Sequence, residues 1–328
     1  MRAWRVTHTG DPIEVLRLDP DVDEPVPGPD QVLVEVRSCA LNFADSLLCR
    51  GTYQETPPLP FTPGLEIAGV VRAAGPDATH AVGDRVTGSP LLPHGGLAEL
   101  ALARTSHVFA APDGASDTAL AAMHVTYQTA WFALHRRAAV QAGETVLVHA
   151  GAGGMGSASI QLAVAAGATV IATAGGPDKV ERCRSLGAHH AIDYRSTTFQ
   201  DAVNELTDGR GADVILDSVG GATFTGSTKC IAWEGRIVVV GAAGGTYAEA
   251  RTNHALVKNY SILGLNWRGY LTRRPDLVAH AQAELAALLL GGRIEPQVSE
   301  VLALDDDIAD AITRVTSGAT TGKLVVTT

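Results

Sequence analysis

Cysteine is scarce in this sequence, which has four cysteines among 328 residues: Cys39, Cys49, Cys183 and Cys230. No two of them form a CxxC pair, the spacing used by structural zinc lobes and thioredoxin-type redox sites. Disulfide frameworks are typical of small secreted domains, and a chain of this length does not depend on one. The sequence therefore predicts free thiols in a reducing compartment.

The sequence also lacks a hydrophobic run long enough to cross a bilayer. Ala-rich runs such as Ala281–Leu290 are apolar but shorter than the roughly 20 residues that a membrane span requires. The first residues, MRAWRVTHTGDPIEV, contain no apolar core of the signal-peptide type. We therefore expect a cytoplasmic location and no membrane partner.

Positive charge is limited as well. The 25 Lys and Arg residues stand against 35 Asp and Glu, the net charge is -10, and at most two basic residues are adjacent. This distribution argues against a nucleic-acid-binding surface. The hydrophobic fraction of 46% and the charged fraction of 18% are typical of a folded globular chain, and the length predicts two domains.

Residues 1–120 have the pattern of a β-rich module. Gln31–Ser38 alternates apolar and polar residues, as a half-buried strand does, and Ile67–Ala73 and Val82–Val86 are similar. Prolines at 25–29 and 57–63 exclude long helices from those segments.

Residues 121–266 repeat a strand, a glycine turn and a helix, which predicts a parallel sheet covered on both faces. The expected strands are Thr145–His149, Thr169–Ala174, Asp213–Asp217, Arg236–Val240 and Ser261–Leu265. The first two helices are expected at Gly156–Ala166 and Lys179–Leu186. Residues 267–328 do not continue the repeat. Their helices (Leu277–Leu290, Asp306–Thr316) and strands (Val298–Val301, Lys323–Thr327) could pack on the first module.

A glycine-rich turn at 150–156 follows the first strand of this repeat and opens its first helix. Gly153 and Gly154 would let the backbone approach a pyrophosphate, and Gly156 would let the helix pack close to the strand. The helix N-terminus adds partial positive charge. The turn therefore predicts dinucleotide binding, although an ordinary glycine turn of an α/β sheet has the same composition.

The end of the next strand, Thr169–Ala174, indicates which dinucleotide is bound. An NAD-binding chain carries an acidic residue there for the ribose 2′-OH, but this chain has Gly175-Gly176-Pro177. Gly175 leaves room for a 2′-phosphate, which Lys179 and Tyr194 could contact. NADPH is therefore favoured over NADH, although Lys179 could equally be a solvated residue in the first turn of a helix.

The sequence contains the motifs Gly143-Glu144-x-x-Leu147 and Gly151-Ala152-Gly153-Gly154-x-Gly156 with Gln161, and the runs PPLPFTPGLEIAG, GRIVVVGAAGGT and KNYSILGLNW. These motifs resemble the zinc-independent quinone oxidoreductase (ζ-crystallin-like) group of the medium-chain dehydrogenase/reductase superfamily. The resemblance extends over essentially the whole chain and departs from the group at Val164 and at Cys49, where an arginine is usual. It implies an α/β chain in which residues 1–120 and 267–328 form a GroES-like catalytic domain and 121–266 form a Rossmann domain. It also implies a homodimer joined through Rossmann sheet edges.

The resemblance implies a set of cofactor contacts. Asn42 and Tyr53 would approach the nicotinamide end and are the candidate catalytic residues, while Asp45 would hold the local backbone. The remaining candidate NADPH contacts are Thr129, Gly153, Gly154, Met155, Gly175, Lys179, Tyr194, Gly241, Ala242, Leu265, Asn266, Trp267 and Lys323.

The position of the zinc-binding histidine in zinc-dependent relatives is Leu65 here, within Gly64-Leu65-Glu66. Leucine cannot ligate a metal, so we expect no metal site and interpret Glu66 as a structural carboxylate. Hydride transfer from NADPH to an electron-poor acceptor, a quinone or an α,β-unsaturated carbonyl, remains feasible. Tyr53 would contact or protonate the substrate, or would simply pack near it, in which case solvent supplies the proton. The alternatives are an enoyl-thioester or acrylate-type 2-alkenal reductase and a non-catalytic NADPH-binding protein.

Overall fold

The computed structural model describes all residues, 1–328. The chain forms two compact units. The first contains Met1–Val125, Leu271–Leu290 and Glu295–Thr328, and the second contains Thr126–Tyr270 and Gly291–Ile294. No helix combines the length and the low charge that crossing a bilayer requires.

The chain contains fifteen strands and eleven α-helices. The strands are β1 (Ala3–Val6), β2 (Leu16–Asp19), β3 (Gln31–Ala40), β4 (Ile67–Ala74), β5 (Arg85–Gly88), β6 (Leu100–Arg104), β7 (Val108–Ala110), β8 (Thr145–Val148), β9 (Thr169–Ala174), β10 (His190–Asp193), β11 (Ala212–Asp217), β12 (Ile231–Val239), β13 (Ser261–Gly264), β14 (Val298–Ala303) and β15 (Lys323–Thr327). The helices are α1 (Pro12–Val15), α2 (Phe43–Cys49), α3 (Asp117–Trp131), α4 (Gly154–Ala165), α5 (Pro177–Ser185), α6 (Phe199–Leu206), α7 (Gly221–Cys230), α8 (Thr252–Lys258), α9 (Arg268–Arg273), α10 (Pro275–Leu290) and α11 (Ile308–Thr316).

The first unit is built on a seven-stranded sheet that joins both ends of the chain. Its strand order is β14-β15-β3-β4-β5-β7, with β6 also paired to β3. The C-terminal strand β15 runs antiparallel to β3, and Val325 lies opposite Ala40. The apolar faces of these strands bury a shared core that includes Val34, Ile67 and Val326. This confirms the expected β-rich domain formed by both chain ends.

The second unit contains a six-stranded parallel sheet in the order β10-β9-β8-β11-β12-β13. The chain moves from β8 outward to β10 and then returns to β11 on the other side of β8, so the strand order reverses between β8 and β11. In such sheets, ligands bind outside the carboxyl ends of the strands at this reversal. The expected Rossmann architecture is confirmed.

Several element boundaries differ from the sequence expectations, and two of them have clear local reasons. The strand expected at Val82–Val86 begins only at Arg85, because Gly83 has a φ of +95° and Asp84 accepts the Ala81 N–H in a turn. The helix expected from Gly156 begins at Gly154, since Gly153 is already its N-cap in an extended conformation.

Gly156 and Gly153 provide a matched pair of substitutions in the turn. A Cβ at Gly156 would lie 2.2 Å from the Ala150 carbonyl oxygen and 2.6 Å from Gly151 Cα, whereas the nearest atom to a Cβ at Gly153 is 3.4 Å away. Helix propensity alone would make Ala the better residue at 156. We expect Gly156→Ala instead to lower the free energy of unfolding by about 1–3 kcal/mol, because backbone atoms cannot yield. Gly153→Ala should change it by less than about 0.5 kcal/mol. Urea unfolding checks both values, and equal stability of the two variants would contradict the steric explanation.

Candidate functional site

Four polar side chains meet in the interior of the first unit: Asn42, Asp45, Glu66 and Lys323. Asn42 is the N-cap of α2, Asp45 lies in its first turn, Glu66 directly precedes β4, and Lys323 begins β15. The exposed fraction is 7% for Asn42, 5% for Lys323 and 0% for both carboxylates. We call these four residues the buried cluster. The structure thus brings together Asn42 and Lys323, two of the residues selected from the sequence.

Lys323 is the hub of the buried cluster. Its Nζ donates to the Leu41 carbonyl oxygen, to Asn42 Oδ1 and to Glu66 Oε1, each at 2.7 Å. Asn42 Nδ2 donates to Glu66 Oε1 at 2.9 Å and to the Ala40 carbonyl oxygen at 3.2 Å. Because lysine only donates and a carboxylate only accepts, these partners determine which way the Asn42 amide faces.

Asp45 organises the backbone on both sides of the buried cluster. Its Oδ2 accepts the Asn42 N–H at 2.8 Å, and its Oδ1 accepts the Gly64 N–H at 2.9 Å. Burial raises its pKa to about 6, against the opposing effect of these two hydrogen bonds. Asp45 therefore holds the segment leading to Leu65 and Glu66 against the start of α2.

Cys39 and Leu65 lie beside the buried cluster and do not add chemistry to it. Burial, followed by the charges of Asp45 and Glu66, raises the pKa of the Cys39 thiol well above its usual value, so the thiol stays protonated. Leu65 is buried in the apolar core. No group of three His, Cys, Asp or Glu side chains in residues 1–328 is arranged to hold a metal ion.

Tyr53 is half-buried and packs against the core of the first unit. Cys49, at the position where the sequence resemblance implies an arginine, is fully buried. The displaced Arg50 instead pairs with Asp11 at 2.8 Å and with the Ser46 hydroxyl. Arg50 therefore ties α2 to α1 in this chain.

His149, which directly follows β8, holds the start of the second unit's glycine turn in place. Its Nε2 lies 2.9 Å from Ser227 Oγ, and its Nδ1 lies 3.0 Å from Thr173 Oγ1. Ser227 donates its own proton to the Thr223 carbonyl oxygen, so Nε2 carries the imidazole proton and Nδ1 accepts. Burial lowers the pKa of His149 to about 3, which keeps the ring neutral. The turn at Gly153, Gly154 and Met155 thus begins from a fixed strand end.

Gly175 and Tyr194 lie together at the carboxyl ends of β9 and β10, and Arg195 lies beside them. A Cβ at Gly175 would lie 2.6 Å from Tyr194 Oη and 3.0 Å from Arg195 Nε. Asp193 Oδ1 accepts the N–H groups of Gly176 (2.9 Å) and Arg195 (3.0 Å), which lowers the pKa of Asp193. Arg195 was not among the residues selected from the sequence. It could have been found there as the basic residue that immediately follows Tyr194. Lys179, in the first turn of α5, is half-buried.

Asp217, the last residue of β11, is a second residue that was not selected from the sequence. Its Oδ1 accepts the N–H groups of Val219 and Gly220, both at 2.9 Å. Its Oδ2 is buried without a hydrogen-bond partner, and burial raises the pKa of the carboxyl group. The carboxylate therefore shapes the loop that follows β11, at the reversal of strand order.

That loop pairs with the loop after β12, which contains Gly241 and Ala242. The Ala243 N–H donates to the Ser218 carbonyl oxygen at 2.9 Å. The residue after β13 is joined to β12 by a further backbone hydrogen bond, from the Leu265 N–H to the Val239 carbonyl oxygen at 3.0 Å. The structure therefore places Gly241, Ala242 and Leu265 at the carboxyl edge of one sheet.

The other three residues selected from the sequence also lie in the second unit. Asn266 accepts the Gly269 N–H through Oδ1 at 3.2 Å and so caps α9, while Trp267 is buried. Thr129 lies on α3 and is half-buried. Asn266 and Trp267 directly follow Leu265, whereas Thr129 comes from a distant part of the sequence.

Comparison with known proteins gives two family matches. The alcohol dehydrogenase GroES-like domain family matches residues 28–113, and the zinc-binding dehydrogenase family matches residues 154–283. Quinone oxidoreductase-like protein 2 of Bos taurus is 40% identical over 300 residues, which cover 91% of this chain and 85% of the relative.

Solved structures agree with these matches. Escherichia coli quinone oxidoreductase complexed with NADPH has a TM-score of 0.92 and 27% identity, with all of both chains covered. The CurK enoyl reductase has a TM-score of 0.86 and 29% identity, and the comparison covers 99% of this chain and 98% of that one.

Proposed function

Because the chain belongs to the quinone oxidoreductase group of the medium-chain dehydrogenase/reductase superfamily, we propose that it is an NADPH-dependent reductase of quinones or activated alkenes. The observation that carries the cofactor assignment is the arrangement at the end of β9. There Gly175 replaces an acidic residue, and Tyr194 and Arg195 lie over it.

The second unit has the features that a dinucleotide requires. Gly153, in an extended conformation, is the N-cap of α4, and the first N–H groups of this helix lie at the turn, where they can bind a pyrophosphate. We propose that Lys179, Tyr194 and Arg195 hold the 2′-phosphate, because a cation beside Gly175 and a second cation in the first turn of the following helix favour an additional anionic group. The loops around Gly241, Ala242, Leu265, Asn266 and Trp267, together with Thr129, would line the nicotinamide end.

Bound NADPH would supply the hydride, and the protein would supply orientation and a dry environment. Leu65 offers no ligand atom, so the proposed reaction uses no metal ion to polarise a carbonyl group. The acceptor must then be electron-poor already, as quinones, enones and acrylates are. We propose that Asn42 contacts the nicotinamide nucleotide and that Tyr53 contacts the substrate, where its hydroxyl can donate a proton.

Anaerobic mixing of the protein with NADPH and either 1,4-benzoquinone or a 2-alkenone should oxidise the cofactor, because conjugation makes both acceptors reactive without a metal. A saturated ketone of the same chain length should not react. Loss of NADPH absorbance measures the rate. Tight NADPH binding with no turnover of either acceptor class would indicate a non-catalytic protein, and preferential turnover of an enoyl thioester would favour the enoyl reductase alternative.

Lys179→Ala and Arg195→Ala should each raise the KM for NADPH by about tenfold and leave the KM for NADH unchanged, because a charge-assisted hydrogen bond contributes about 1.5–3 kcal/mol. Arg184→Ala is the matched control. Arg184 lies on the same helix as Lys179 but pairs with Glu181 at 3.2 Å. Steady-state kinetics with both cofactors checks this. An unchanged preference for NADPH in both variants would show that the phosphate pocket lies elsewhere.

We also propose that the chain forms a homodimer through the edge of the second unit's sheet. Strand β13 pairs only with β12, so its outer edge is unpaired. Exposed apolar side chains lie on this strand, at Ile262 (37% exposed), and on α8, which directly precedes it in the chain, at Leu256 (77%) and Val257 (72%). A second copy related by a twofold axis would pair this edge with itself and cover these side chains.

Leu256→Glu combined with Val257→Glu should convert the proposed dimer to a monomer, because two charges would face their symmetry-related copies. The control is Val301→Glu, which adds a charge at an exposed apolar position of β14, the edge strand of the other sheet. Sedimentation velocity measures the mass of each. A monomeric wild type, or dissociation caused by the control instead, would contradict this interface.

A further inference from the structure

The buried cluster leaves no hydrogen-bond donor of its own unused. Lys323 has three ammonium protons and three acceptors at 2.7 Å. Asn42 has two amide protons, which are directed to Glu66 Oε1 and to the Ala40 carbonyl oxygen. No ammonium or amide proton of the buried cluster therefore remains for a ligand.

The acceptors are not used so completely. Glu66 Oε1 receives protons from both Lys323 and Asn42, and Glu66 Oε2 receives the Val125 N–H at 2.6 Å. Asn42 Oδ1 receives only one proton, from Lys323, although an amide oxygen accepts two. Asn42 also keeps 7% of its surface exposed, whereas Glu66 is fully buried.

We propose that Lys323 and Glu66 are positioning residues that orient the Asn42 amide so that it meets its ligand only as a hydrogen-bond acceptor. The inference rests on the proposed function, in which Asn42 contacts the nicotinamide nucleotide. An acceptor recognises a donor, so its ligand group is a ribose hydroxyl or the carboxamide N–H of that nucleotide. A quinone or carbonyl oxygen has no proton to donate and is not the partner of Asn42.

Simple truncation would not test this, because removing one partner of a buried ion pair leaves an uncompensated charge and destabilises the fold. A donor–acceptor exchange avoids that problem. Asn42→Asp alone would place a carboxylate oxygen against Glu66 and the Ala40 carbonyl. In the double variant Asn42→Asp with Glu66→Gln, the new amide at position 66 can donate to the new carboxylate at position 42, while its oxygen accepts the Val125 N–H. One carboxylate moves from position 66 to 42, so the total charge is unchanged. Lys323 Nζ then loses its acceptor at position 66, where the amide nitrogen stands, and must direct that proton to the carboxylate at position 42.

The readouts are urea unfolding, the Kd for NADPH from fluorescence titration, and kcat. Asn42→Asp alone should weaken NADPH binding by about tenfold or more, because repulsion from Glu66 would turn the new carboxylate away from the wild-type position of the amide and so remove its hydrogen bond to the ligand. The double variant should recover the wild-type Kd and kcat within about threefold, because the carboxylate at position 42 still offers an acceptor. A double variant as stable as the wild type that fails to recover binding or kcat would overturn the proposal, since it would show that Asn42 must donate.

A second variant removes the dependence on that exchange folding correctly. Lys323→Met with Glu66→Gln deletes both charges and leaves no uncompensated charge in the interior, so the fold should persist. The amide oxygen at position 66 can accept from Asn42 Nδ2 or from the Val125 N–H but not from both, so the variant should unfold at a lower urea concentration than the wild type. The Asn42 amide would then lose the partner that orients its oxygen. We expect the Kd for NADPH to rise by about tenfold in protein that still unfolds cooperatively in urea, and an unchanged Kd would contradict a positioning role. If wild-type protein itself does not bind NADPH, the proposed function fails rather than this inference.

Discussion

The first unit depends on placing one lysine ammonium group correctly in its interior. An unpaired ammonium group in an apolar interior is strongly unfavourable, so Lys323 requires all its partners at once. Those partners, Asn42 and Glu66, come from segments far away in the sequence. The antiparallel register of β15 against β3 sets Lys323 beside them. A slip of two residues would move the ammonium group by about 7 Å and leave it without partners, so the ion pair and the sheet register specify each other.

In the second unit, closely packed atoms around two glycines, rather than a buried ion pair, specify the local structure. Gly156 and Gly175 lie where a side chain would meet backbone or neighbouring side-chain atoms. The neutral imidazole of His149 holds the end of β8 through a hydrogen bond with Ser227 Oγ. The carboxyl group of Asp217 holds the end of β11 by accepting the Val219 N–H. Both residues lie at the carboxyl edge of the sheet, where its strand order reverses. The glycines thus create space at this edge, and the buried polar side chains keep the loops that surround it in place.

Much of this organisation could be predicted from the sequence because it is local. The bounds of β9 and β15 agree with the expected residues, since each is a short apolar run that follows a glycine turn. The glycine turn and the replacement of histidine by Leu65 could likewise be recognised directly. Glu66 was expected to be structural, and its ion pair with Lys323 explains what that role is.

Long-range contacts could not be predicted in the same way. A lysine at the first position of a strand is usually solvated, and only the pairing of β15 with β3 shows that Lys323 is buried. Arg195 becomes relevant only when β10 is known to lie beside β9. Asp217 has the appearance of an ordinary strand-end residue until its hydrogen bonds to the next loop are seen. Each of these residues depends on strand order, which hydrophobic periodicity does not contain.

In the buried cluster, all the side-chain protons of Lys323 and Asn42 are already donated within the protein. This limits which substrates the proposed reaction can use. An enzyme that reduces an unactivated ketone must stabilise the developing alkoxide with a metal ion or with hydrogen-bond donors. Here Lys323 and Asn42 donate their side-chain protons to acceptors of the protein itself, and Leu65 offers no atom that could bind a metal. A conjugated acceptor spreads the incoming negative charge over its own π system and therefore needs less help. In the proposed reaction, the hydrogen bonds of the buried cluster would therefore favour acceptors that are already activated, and Tyr53 or water would provide the proton.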